Sequence, residues 1–266
     1  MKEKRNKTLQ KQVKKELNKT FNINQFIIWG AIILVLPTLQ FFLIKDNYVF
    51  YRQLDLFLRM NSGFIAILFP ILIVLINPLN FVKEQKNQFI QYTRTRISLP
   101  NYILAKLISN GILTFSIAFL MAFIPFIFSM YIEPLFGFVQ LYPTEGSPIP
   151  HTTFEQFLPL GTLVYGLIYS TWIGINGALY GTIILLLVIL IDRDFIALSI
   201  TFIVYMIFNF MAQLFDFDKF SPMATLFPFT ISQQQLWTVL IPFTFAVAIM
   251  FGTMIYLKRN LYERYE

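Results

Sequence analysis

Six stretches of mostly apolar residues, each about long enough to cross a bilayer, dominate the chain and leave little room for any other architecture. They run over about Phe26–Ile44, Gly63–Val82, Tyr102–Ile132, Thr171–Ile191, Phe195–Phe215 and Trp237–Leu257. A hydrocarbon core of roughly 30 Å needs about 20 such residues in an α-helix. In lipid the helix is the form that pairs every backbone group within one segment. Only 13% of the 266 residues are charged, about half the share of a soluble domain. The sequence therefore predicts an all-α polytopic membrane protein. It divides into a basic interfacial helix over 1–25, a six-helix transmembrane domain over 26–257 and a cytoplasmic tail over 258–266.

Charge placement sets the expected orientation. If the N-terminus is inside, the inner segments carry sixteen Lys and Arg and the outer segments four. The positive-inside rule then puts both termini in the cytoplasm. The net charge of +7 sits largely in the first 20 residues and beside apolar runs, so the expected acidic partner is lipid headgroup, not nucleic acid. Within 1–25, Leu9, Val13, Leu17 and Phe21 recur every four residues. That stripe predicts a helix lying along the inner leaflet. The lead before the first apolar stretch is too long, and that stretch itself too long, for a cleavable signal.

Several chemistries lack their residues. The chain has no cysteine and one histidine, His151, which excludes disulfides, thiol nucleophiles and multi-histidine metal sites. His151 reads as a solvated residue of an outer loop. No P-loop pattern is present. The six stretches hold no Asp or Glu, which disfavours a proton-driven carrier. Neither an enzyme nor a bound cofactor is expected. Gln40, Asn110, Asn176, Asn209 and Gln213 are expected to hydrogen-bond between helices. Gly174, Gly177 and Gly181 provide places for a neighbouring helix to come close. Asn77-Pro78 predicts a kink or early stop in the second span. A fourth span starting at Thr171 is expected to follow a short interfacial piece, and residues 45–61 read as a mixed-charge loop.

The most informative segment follows the second span. Glu84 opens a polar, amphipathic stretch through Thr95, Arg96 and Ser98, which leads into Tyr102-Ile103-Leu104-Ala105-Lys106. This arrangement resembles the ABC-2 type permeases, the membrane subunits of type V ABC exporters. In that family a Glu after the second span begins a cytoplasmic coupling helix, and a lysine sits near the entry of the third. The basic lead helix, the short turn Asp192-Arg193-Asp194 and the proline-containing segment Phe220–Pro228 agree with the family layout. The chain departs from it in lacking the glycine that commonly follows the Glu, and in a proline-rich segment over 133–160. The resemblance implies a permease in a bacterial plasma membrane that exports an amphipathic or apolar substrate, such as a peptide, an antibiotic or a lipid-like molecule. It implies three partners: a separate ATP-binding cassette ATPase carrying ATP and Mg, a second permease copy in a homodimer or with a similar chain, and the bilayer. ATPase contact then falls to Glu84, Lys86, Phe89, Arg94 and Arg96. The competing reading is a non-transport membrane sensor, scaffold or immunity protein that acts by binding.

Overall fold

The structure, a computed structural model, describes residues 2–86, 98–142, 151–227 and 235–265. Among them the chain is helical, with a single isolated bridge between Phe50 and Leu141. The helices are α1 (Lys2–Thr20), α2 (Ile23–Ile44), α3 (Gln53–Met60), α4 (Phe64–Ile76), α5 (Pro78–Lys86) and α6 (Leu99–Phe136). They continue as α7 (Thr162–Leu190), α8 (Asp194–Leu214), α9 (Pro222–Leu226) and α10 (Leu236–Tyr265). Five are long and apolar enough to cross a membrane: α2, α6, α7, α8 and the apolar part of α10. Counted together as one broken span, the pair α3 and α4, with an angle of 46° between its halves, makes a sixth. The protein is thus an all-α, polytopic membrane protein.

Two expectations are corrected. Residues 53–60 are not loop. Asp55 caps the start of α3 by accepting from the Arg52 backbone N–H at 3.0 Å and pairing with the Arg52 guanidinium, and Leu54, Leu56, Phe57, Leu58 and Met60 are buried. The charges that made this segment look like loop are the residues that start the helix. The fourth span also needs no separate entry piece, since α7 runs unbroken from Thr162. No proline interrupts 162–190, and Gly166, normally a weak point in a helix, is covered by the Phe126 ring.

Proline and glycine shape the other spans. The π-helical turn Phe128–Ile132 in α6 follows Pro125, which cannot donate the backbone bond expected of it. Asn77, with φ −153° and ψ −37°, interrupts the helix between α4 and α5, so the expected stop before Pro78 is present. Such a break leaves the last carbonyls of α4 without helical partners, and a buried carbonyl left unpaired is costly. Side chains from α2 reach across to them. Gln25 Nε2 donates to Ile76 O at 2.5 Å and to Leu75 O at 3.2 Å, and Trp29 Nε1 donates to Ile76 O at 3.0 Å. From α6, Asn110 Oδ1 accepts a bond from Asn77 Nδ2 at 3.0 Å.

The core is widest where α4, α6 and α7 meet. Phe57, Phe69, Phe126, Tyr165, Tyr169 and Ile173 are all essentially sealed from solvent. The glycines of α7 bring α6 into close contact. A Cβ on Gly177 would lie 2.6 Å from Ala118 Cβ and 2.9 Å from Thr114 O, and one on Gly174 would lie 3.1 Å from Phe115 O. Burial falls away from this centre, from 67% of the apolar window in α7 to 22% in α8 and 11% in α10. The last two spans therefore turn most of their surface outward, to where lipid would lie.

Candidate functional site

Helix α1 carries polar residues at positions where an amphipathic helix buries apolar ones. Residues 9, 12, 13, 16 and 17 follow the spacing of one helical face, yet two of them are Gln12 and Glu16, at 6% and 3% exposure. The structure turns this face onto the start of α6. Its burial is matched by charge. Gln12 Nε2 donates to Glu16 Oε1 at 2.8 Å, and the other oxygen, Glu16 Oε2, pairs with Lys106 Nζ on α6.

Lys106 is the centre of a four-charge cluster. Its side chain is 8% exposed, and it pairs with Glu84 Oε2 at 2.5 Å as well as with Glu16. Lys19 Nζ reaches the other oxygen of Glu84, Oε1, at 2.7 Å. Tyr102 lies one turn before Lys106 and donates its hydroxyl to Glu84 Oε2 at 3.4 Å. The rings of Phe81 and Tyr102 stand 5.7 and 5.8 Å from the ammonium and wall the cluster on its apolar side. Two lysines balance two glutamates, so the group is neutral as a whole. Burying charge is costly unless each ion is paired, and here each is. The cluster joins α1, α5 and α6 at one point. Next to it, Lys86 Nζ pairs with Asp194 Oδ2 at 3.1 Å, joining α5 to the first turn of α8.

Of the residues the sequence singles out for partner contact, Glu84 and Lys86 lie in this region, on α5. Phe89, Arg94 and Arg96 lie outside the described residues. Lys106, the lysine marked by the family resemblance, sits at the centre. Glu16, Lys19 and Asp194 escape a reading by loop position. The one signal for Glu16 is its place, with Gln12, on the face of α1 that carries Leu9, Val13 and Leu17.

A second cluster lies at the opposite end of the bundle. Arg52 Nη1 donates to Glu155 Oε2 at 2.8 Å, and Arg52 Nη2 donates to Asp55 Oδ1 at 2.8 Å. Thr152 donates to Glu155 Oε1 from its backbone N–H at 2.9 Å and from its hydroxyl at 3.1 Å. His151 Nδ1 lies 2.7 Å from Glu155 Oε2, so the loop histidine, though 63% exposed, has a carboxylate partner. Burial opposes the charged form of Glu155. Hydrogen bonds from Arg52, His151 and Thr152 outweigh it and hold its pKa below the usual carboxylate range. Burial likewise opposes the Arg52 cation, and Glu155 and Asp55 outweigh it and raise its pKa. This cluster ties the loop before α7 to the start of α3.

The in-span amides divide into two kinds. Asn110 bonds Asn77, Gln40 Nε2 donates to Arg59 O at 3.4 Å, and Asn209 Oδ1 accepts from Met223 N at 2.8 Å, each joining two elements. Asn176 instead donates to Trp172 O, one turn back in its own helix, and Gln213 is exposed. Among the described residues, no group of three or more His, Cys, Asp or Glu is placed to hold a metal ion. Comparison of the chain with protein families, with curated proteins and with solved structures finds no match.

Proposed function

We propose that the chain is the membrane-spanning permease subunit of an ATP-binding cassette exporter, driven by a separate ATPase and paired with a second permease copy. Its cargo on this reading is amphipathic or apolar: a peptide, an antibiotic or a lipid-like molecule. The observation that carries the reading is the fastening of α5. Glu84 is tied to Lys106 and Lys19, and Lys86 to Asp194, immediately before the polar segment 87–97. A force applied to that segment would pass into α1, α6 and α8 together. A permease without a nucleotide site of its own needs such a connection, because its energy arrives from a partner. Closure of two ATPases on ATP would push the two segments and bias the bundles between inward-open and outward-open states.

The test is isolation of the tagged protein in mild detergent, with identification of what copurifies and an assay of ATP hydrolysis. A stoichiometric nucleotide-binding subunit supports the permease. A clean preparation without one moves the assignment to a membrane sensor, scaffold or immunity protein acting by binding. With the partner in hand, Glu84→Ala is expected to lower stimulated ATP hydrolysis several-fold while membrane insertion is retained. Unchanged stimulation removes Glu84 from the coupling path.

A further inference from the structure

Helices α8 and α10 follow one another in the bundle but stand apart along much of their length. They meet through Phe208 and Phe245, whose ring centroids are 5.8 Å apart. Between them lies a cleft of about 470 Å³, within the size range of small-molecule sites. Tyr180, Ile183 and Leu187 of α7 form its floor. Ile200, Val204 and Phe208 line one wall, and Ile241, Phe245 and Ile249 the other. No charged residue lines it.

The rim of the cleft points to an occupant. Phe220 and Pro222 close one end of the cleft. Phe220 carries Lys219 Nζ 5.3 Å over its ring and has Trp237 at 5.9 Å. Tryptophan beside a cation is typical of the headgroup level of a membrane. Asp216 and Asp218 are exposed in the same short segment, so this rim carries both signs of charge.

We infer that this cleft holds one acyl chain of a bilayer phospholipid. The chain enters sideways between α8 and α10, and a zwitterionic headgroup rests at the rim formed by Lys219, Asp218 and Trp237. An apolar trough open to hydrocarbon and ending at mixed charge matches a molecule that is itself a linear chain ending in a zwitterion. The site does not depend on the exporter reading, since a sensor or scaffold with this bundle would hold the same lipid.

The test uses the full-length protein in phosphatidylcholine vesicles doped with phosphatidylcholine carrying a diazirine on one acyl chain. Photolysis is followed by mass-spectrometric mapping. Labelling is expected to concentrate at Ile200, Val204, Phe245 and Ile249, several-fold above Ile207, Phe210 and Ile255, which are exposed outside the cleft. Ala246→Trp, which fills the trough, is expected to cut the cleft labelling several-fold and leave the outer positions unchanged. Even labelling over cleft and outer faces, or cleft labelling unchanged in Ala246→Trp, overturns the site. So does a cleft protected from label in a dimer that cross-links through Phe245→Cys, which would make a second copy the occupant.

Discussion

Lys106 pairs with two carboxylates while its own side chain is only 8% exposed, and that makes it more sensitive than either glutamate. Lys106→Ala leaves Glu16 and Glu84 facing each other with Lys19 alone to balance them. Breaking a buried pair in this way costs about 3–5 kcal/mol. A large fall in the thermal midpoint of the detergent-solubilised protein is the expected outcome. Removing the charges together, with Lys106→Met, Glu16→Gln and Glu84→Gln, is expected to restore much of the loss, because the one ion of the cluster that remains, Lys19, has its side chain 39% exposed to solvent. Glu155 behaves differently, because its pKa is depressed in the folded protein. Its stabilisation is complete above the unfolded value of about 4.3 and is lost as pH falls through the lower folded value. The thermal midpoint should therefore drop on acidification below about pH 4, and the drop should shrink in Glu155→Gln. Most of this was hidden in the sequence for one reason. Glu16 and Glu155 are isolated acids in a basic helix and a proline-rich loop, and only the fold brings cations to them.

Among the helices, the contact between α6 and α7 has the least slack. Gly177→Ala places a methyl group against both Ala118 Cβ and Thr114 O. Overpacking of this kind costs about 1–3 kcal/mol, measurable as a lowered thermal midpoint. Ala118→Gly is expected to recover only part of it, since the Thr114 carbonyl stays at 2.9 Å. This contact was legible from sequence, because glycines spaced along one face of an apolar helix have few other uses. The stop at Asn77-Pro78 was equally legible, since proline restricts the residue before it wherever it occurs. Helix α3 was not. Its charged residues resembled a loop, and its apolar ones, Leu54, Leu56, Phe57 and Leu58, follow no period long enough to be read in eight residues. The full reach of α7 back to Thr162 was not legible either, because what covers Gly166 inside the helix is the Phe126 ring, a contact that only the fold creates.

For the molecule as a whole, the all-α membrane architecture was the most legible property, because lipid allows few alternatives. Orientation rests on charge alone, and the cysteine-free chain makes it simple to test. Single cysteines replacing Asn6, His151 or Tyr262 are expected to divide cleanly on intact cells. A membrane-impermeant maleimide should label the His151 replacement directly and the other two only after permeabilisation. The reverse pattern would invert the bundle and place the Lys106 cluster on the outer side. The capping of the Asn77 break from α2 also bears on biosynthesis. The first span leaves the ribosome before the second, so Gln25 and Trp29 are already in place when the carbonyls of Leu75 and Ile76 arrive. The early segment serves as a built-in assembly partner for the later one, and a chain begun after residue 45 would have to insert its interrupted helix unaided.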